Sequence, residues 1–129
     1  MIGSNAFNYI NVLNKAANAS WKRNEILANN LANVDTPGYK RKDVQFQSYL
    51  QSALLGDGSL DSRVAKADRK QLEATVYTDD ASLSYRLDGN NVDVDTESAK
   101  LAENQIRYQA LLDSMTQEFS RIKTVLASR

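Results

Sequence analysis

The side chains able to carry chemistry in this 129-residue chain are few, because it has neither a histidine nor a cysteine. That removes imidazole bases, thiolate nucleophiles, disulfides and the usual nitrogen and sulfur metal ligands together. Carboxylates remain. Asp79 and Asp80 are adjacent, but paired acids work as acid and base only inside a cleft, and nothing around them builds one. They are expected to be exposed loop acids. The run DGNNVDVDTE, from Asp88 to Glu97, suggests a calcium loop and fails on spacing: counted from Asp93, position six is Ser98 and position twelve is Asn104, where glycine and a bidentate glutamate are needed. It reads as a turn followed by a helix cap. The five glycines, at 3, 38, 56, 58 and 89, are too scattered for a phosphate-cradling loop. The glycosylation triplet Asn18-Ala19-Ser20 falls inside a helical pattern and is set aside. No catalytic residue, cofactor or metal ligand is assigned, and no enzyme is expected.

Sixteen basic residues balance sixteen acidic ones, so no one-signed field favours nucleic acid. The clusters Lys40, Arg41, Lys42 and Arg63, Lys66, Arg69, Lys70 are interleaved with Asp43, Asp61 and Asp68 and read as solvated surface. No apolar run approaches the ~20 residues of a membrane span, so direct membrane insertion is not expected. MIGSNAFNYINVLNK lacks the basic start and unbroken apolar stretch of a cleaved export signal.

The function must therefore lie in how long elements present their faces. One proline and five glycines stand where average usage would put about six and about nine, which favours helix. Ala6, Ile10, Leu13, Ala17, Ser20, Asn24, Leu27, Leu31 and Val34 step alternately by four and three, the spacing of a coiled-coil seam. Leu101, Gln105, Tyr108, Leu112, Met115, Phe119, Ile122 and Leu126 repeat it near the other end. Pro37 and Gly38 stop the first helix near Val34. Asp93, Asp95 or Thr96 can cap the second, which should start near residue 95 with Glu97 at its positive end.

The fold class expected is mainly α: long N-terminal and C-terminal helices forming a coiled-coil-like pair, joined by an extended, partly irregular middle segment. The division is 1–35, 36–94 and 95–129 within one elongated unit. In the middle, Phe46, Tyr49, Leu50, Ala53 and Leu54 share one face of a short helix ended by Gly56. Alternation around Val76, Tyr77 and Leu83 to Leu87 allows one or two short strands, and no compact subdomain is evident. The polar seam residues Ser20, Asn24 and Gln105 are either satisfied hydrogen-bonding groups or selectors of a partner. Phe7, Tyr9, Val12, Trp21, Ile26, Ile106 and Leu111 add more apolar surface than one partner helix hides. A second class of function, a cytosolic helical adaptor or export chaperone gripping a client helix, explains the seams equally well.

Ala28, Asn29, Asn30, Ala32, Asn33, Thr36, Pro37, Gly38 and Tyr39 decide between them. This stretch resembles the N-terminal signature of the flagellar rod, hook and hook-associated axial proteins. The segment LDGNNVDVDTESAKLAENQIRYQALL, from Leu87 to Leu112, is similar to the C-terminal pattern of a proximal rod member rather than that of its sister FlgC. A middle of about 60 residues is too short for the large β-rich inserts of hook and distal rod members.

The resemblance implies a structural subunit of the proximal rod in the bacterial flagellum basal body. It implies a periplasmic drive shaft around an export channel, reached through type III export without a cleaved signal peptide. It implies as partners other copies of the chain, the rod proteins FlgC and FlgF, the junction protein FliE, the export gate proteins FliP and FliR, and the ring protein FliF. The subunit interface it implies comprises Ile10, Leu13, Ala17, Leu27, Asn29, Asn30, Leu31, Asn33, Thr36, Pro37, Gly38 and Tyr39 on one side. On the other it comprises Leu101, Asn104, Tyr108, Leu112, Met115, Phe119, Ile122 and Leu126. Asn29, Asn30 and Asn33 are expected to hydrogen-bond across subunits.

Overall fold

A computed structural model describes residues 2–80 and 86–128. Two long helices, α1 (Ile2–Ala32) and α4 (Val94–Ala127), flank β1 (Lys42–Gln45), α2 (Gln47–Ala53), α3 (Leu60–Lys66), a 3-10 turn at Arg69–Gln71 and β2 (Thr75–Thr78). The mainly helical class expected from the seams is the one observed. At 1.5 Å per residue the long helices run about 46 and about 51 Å. They lie antiparallel, since Asn30 near the end of α1 meets Glu97 near the start of α4, and Ser20 meets Asn104.

The seam of α1 is correctly placed: Ala6, Ile10, Ala17, Ser20 and Leu27 are buried, and Leu13, Asn24 and Leu31 are half-buried. On α4 one position needs correction. Gln105 is exposed, and the buried polar residue is its neighbour Asn104, whose Nδ2 donates to the Ser20 carbonyl at 2.7 Å. A carbonyl partner on the opposite helix selects Asn104 because a buried amide must be paired. Asp93 is the N-cap of α4, its carboxylate accepting from the Asp95 and Thr96 N–H groups.

The middle is more organised than its sequence suggests. β1 and β2 pair antiparallel, with Val44 opposite Val76. Val12, Ala16 and Ala19 on α1 form a small core with Phe46, Val64 and Leu72, and Leu50, Ala53, Leu54 and Leu111 pack against it. Tyr9 Oη donates to Asp61 Oδ1 at 2.5 Å, fastening α3 to α1. A layer therefore covers one side of the helix pair where no subdomain was expected. Short elements with one or two inward residues each leave no periodic trace; β1 and α3 are of this kind. Leu83 lies outside the described residues. Truncating the buried Leu72 to alanine should cost about 2–5 kcal/mol and loosen this layer first. Hydrogen exchange of the full chain checks it: protection should fall in residues 44–78 before it falls in α4.

Candidate assembly site and the buried ionic junction

The Asn-rich end of α1, the Thr-Pro-Gly-Tyr exit, both strands and the start of α4 converge on one polar junction. Asn30 is completely buried. Its Nδ2 donates to the Lys42 carbonyl at 2.7 Å and to Glu97 Oε2 at 3.1 Å. Its Oδ1 accepts from Tyr39 Oη at 3.1 Å and from the Lys42 N–H at 3.0 Å. An amide has two donors and two acceptor sites, so Asn30 is saturated within its own chain and cannot bond across subunits as expected. Asn33 also turns inward, its Nδ2 donating to the Asn29 carbonyl at 2.8 Å. The Thr36 hydroxyl donates to Asn33 Oδ1 at 3.1 Å.

At the centre is Arg41, 4% exposed, which the sequence had placed on a solvated surface. Its Nε donates to Glu97, its Nη1 to Asp79 at 2.8 Å and its Nη2 to Asp43 at 2.9 Å. Arg23 adds a second cation, its Nε 2.8 Å from Asp43. Asp79, expected to be a bystander acid, is thus an ion-pair partner. Arginine suits this place because its planar fork reaches three carboxylates at once. Burial works against the Arg41 charge, and the hydrogen bonds to Glu97, Asp43 and Asp79 outweigh it, so the guanidinium is held above its ordinary pKa. Burial likewise pushes the Asp43 carboxyl up, and the hydrogen bonds from Arg23, Arg41 and the Val44 N–H overcome this and hold it at about 2, against an ordinary 3.8.

Because the folded value is depressed, this contribution is fully present above about pH 4 and is lost as pH falls through about 2. It amounts to about 2 kcal/mol. The urea midpoint of the full chain should drop between pH 5 and pH 2.5, and Asp43→Asn should flatten that drop.

Asn90 and Asn91 are buried and complete the junction. Asn90 Nδ2 lies within bonding distance of the Asn33, Val34 and Thr36 carbonyls at 2.9, 3.0 and 2.9 Å, and so serves the carbonyls that α1 leaves open. Gly38, at φ +72°, donates its N–H to the Asp88 carbonyl at 2.7 Å. Asn90 and Asn91 were hidden in the acidic run read as turn plus cap. The signal that could have found Arg41 is its i, i+2 spacing to Asp43, which in an extended segment puts both on one face.

The remaining predicted residues fall into two groups. Ile10, Ala17 and Leu27 are buried, and Leu13, Leu31, Tyr39, Leu101, Tyr108, Leu112, Met115 and Ile122 are half-buried. Asn29, Thr36, Pro37, Gly38, Phe119 and Leu126 are exposed. On α4, Tyr108, Leu112, Met115, Phe119, Ile122 and Leu126 share one face by helical spacing. Tyr108 stacks at a tilt on Trp21 with ring centroids 5.7 Å apart, which joins this stripe to exposed Trp21 and Phe7 on α1. The covering layer sits on Val12, Ala16 and Ala19, roughly opposite Trp21 around α1. One side of the helix pair is therefore covered, and on the other, among the described residues, Phe7, Trp21, Phe119 and Leu126 stand exposed.

Residues 10–40, which hold the end of α1 and its exit turn, match the family model described as flagella basal body rod protein. Over 119 residues the chain is 43% identical to the flagellar basal body rod protein FlgB of Bacillus subtilis, covering 90% of each. The chain belongs to the FlgB family of flagellar basal body rod proteins. FlgB of Escherichia coli is 35% identical over 123 residues, covering 88% of this chain and 89% of its own. FlgB of Borreliella burgdorferi is 32% identical over 114 residues, covering 81% and 84%. These matches span both long helices and the middle. FlgB-family proteins are structural, so the site here is a set of contacts and the junction that orients them. Among the described residues no helix is long and apolar enough to cross a membrane.

Proposed function

We propose that this chain is a structural subunit of the proximal flagellar rod, and that its two long helices pack against neighbouring subunits to build a drive shaft around the export channel. The observation that carries the proposal is the bare apolar side formed by Phe7, Trp21, Phe119 and Leu126 on a chain of a rod-protein family. An exposed apolar stripe of this length on a folded chain marks an interface. The buried ionic junction holds the two helices in register, so that their outer faces form one surface. Leu112, Met115 and Ile122 extend that surface. Ile10, Ala17, Leu27 and Asn104 act beneath it by fixing the helix pair.

Further copies of the chain, FlgC, FlgF and FliE are the neighbours, with FliP, FliR and FliF at the base of the rod. The subunit reaches this place by type III export without a cleaved signal. Helical assembly uses head-to-tail contacts, which end where a different protein continues the shaft. Peptide mass spectrometry of purified basal bodies tests the proposal. Recovery of the chain there with its N-terminus intact supports it. Absence from basal bodies, with the protein free in the cytoplasm, would overturn it in favour of a client-gripping adaptor.

A further inference from the structure

The chain holds two Asp-Gly dipeptides, Asp57-Gly58 and Asp88-Gly89, and no Asn-Gly. Such a dipeptide can rearrange without an enzyme, because glycine has no side chain to shield its amide nitrogen. That nitrogen attacks the protonated side-chain carboxyl of the aspartate. A bond from N to Cγ forms, the Cγ–OH bond breaks, and the hydroxyl leaves with the amide hydrogen as water. Water then reopens the resulting succinimide at either carbonyl. Opening at Cγ restores aspartate; opening at the main-chain carbonyl leaves isoaspartate, in which the main chain runs through Cβ and Cγ.

The reaction needs an unengaged amide nitrogen, a carboxyl free to turn onto it and a main chain free to bend. The fold gives the two dipeptides opposite settings. Gly56, Asp57, Gly58 and Ser59 are all exposed. Among the described residues neither the Gly58 N–H nor the Asp57 carboxylate has a hydrogen-bond or ion-pair partner. Asp57 also lies between two glycines at φ +129° and +108°. A Cβ at Gly56 would meet nothing within 4 Å, and one at Gly58 would meet only Ser62 at 3.9 Å, so the turn has room for the ring.

At Asp88-Gly89 each requirement is denied. The Gly89 N–H donates to the Arg86 carbonyl at 3.1 Å. Asp88 Oδ1 accepts from the Asn90 N–H at 3.0 Å, and Oδ2 from Arg86 Nη2 at 3.1 Å. The main chain is anchored on both sides, the Asp88 carbonyl by the Gly38 N–H and the Gly89 carbonyl by Lys40 Nζ. An extra main-chain methylene here would displace Asn90 from the carbonyls it serves at the end of α1. At Asp57 it falls in an open turn ahead of the Ser59 cap of α3.

We propose that Asp57 is a site of spontaneous isoaspartate formation in the folded chain, and that the ties around Asp88 keep the same reaction away from the helix junction. Neither half depends on the rod reading.

The full chain is aged for weeks at neutral pH, folded or in urea, and then digested. Peptide chromatography with electron-transfer fragmentation separates the products, which have equal mass, and gives isoaspartate at each position. In the folded chain position 57 should convert at least about tenfold faster than position 88, which must first open against its hydrogen bonds. In urea the two rates should converge, because the dipeptides are alike once the fold is gone. Similar rates at both positions of the folded chain overturn the protection of Asp88, and so does a ratio that persists unchanged in urea. Conversion at position 57 only in urea overturns the site itself. Asp57→Asn gives a second readout: the same attack expels ammonia, and hydrolysis raises the mass of the intact protein. Asp57 makes no contact that this variant would lose, so a mass that rises in urea and stays constant in the folded variant also overturns the inference.

Discussion

Arg41→Met destabilises the chain by about 3–5 kcal/mol, the cost expected when one partner is removed from a buried ion-pair group. Asp43 and Glu97 are both buried, and without the guanidinium each keeps a charge with too few donors. A domain of this size has about 5–15 kcal/mol in total, so much of the stability goes. Arg41→Lys should recover only part of it, because an ammonium is a point charge and cannot span three carboxylates. Urea unfolding of the full chain measures both. An unfolding free energy for Arg41→Met within about 0.5 kcal/mol of the unsubstituted protein would show that the junction does not hold the helices together. The functional readout follows, since loss of register between α1 and α4 should abolish motility.

The second large effect separates folding from assembly. Phe119 is 52% exposed, so Phe119→Asp should cost the isolated fold only about 1–2 kcal/mol, the worth of the half of the ring that is buried. In the proposed rod the same carboxylate would be buried against a neighbour without a partner, which is strongly unfavourable. Motility and recovery in basal bodies should be lost while expression is normal. Leu27→Asp also abolishes assembly, for a different reason: Leu27 has no exposed surface, and a charge there disrupts the helix pair itself. Thermal unfolding distinguishes the two variants, and normal swimming by Phe119→Asp would refute the role of the bare stripe.

The long helices were legible because seams repeat. Ala6 to Leu31 recurs often enough that its period survives two polar members, and Pro37 and Asp93 punctuate the ends. What could not be read is long-range and non-periodic. Arg41 meets Asp79 and Glu97 across 38 and 56 residues, and nothing local to any of them signals the others. KDVQ carries one β-branched residue and two charges, so β1 shows no strand alternation until β2 pairs with it. Gln105 and Asn104 are adjacent and chemically alike. The seven-residue repeat favoured Gln105, while the position of the Ser20 carbonyl on the partner helix selects Asn104. The resemblance drew attention to Ala28 to Tyr39, and within that stretch the Asn30 amide, expected to bond across subunits, is saturated inside the chain.

The hydrogen bonds that join Gly38 to Asp88 and Asn91 to Tyr39, at 2.7 and 3.3 Å, bring the outgoing and returning chain together at the foot of the helix pair. Within the loop so closed, the turn at residues 56–59 is exposed throughout. Lengthening such a loop is thermodynamically mild, about 0.6 kcal/mol for each doubling. The helix pair should therefore accept a foreign domain in the exposed turn at residues 56–59 with its own geometry unchanged. Growth at that turn leaves the layer on α1 and the Arg41 junction in place, so the outward-facing part can be enlarged without redesign of the proposed interface.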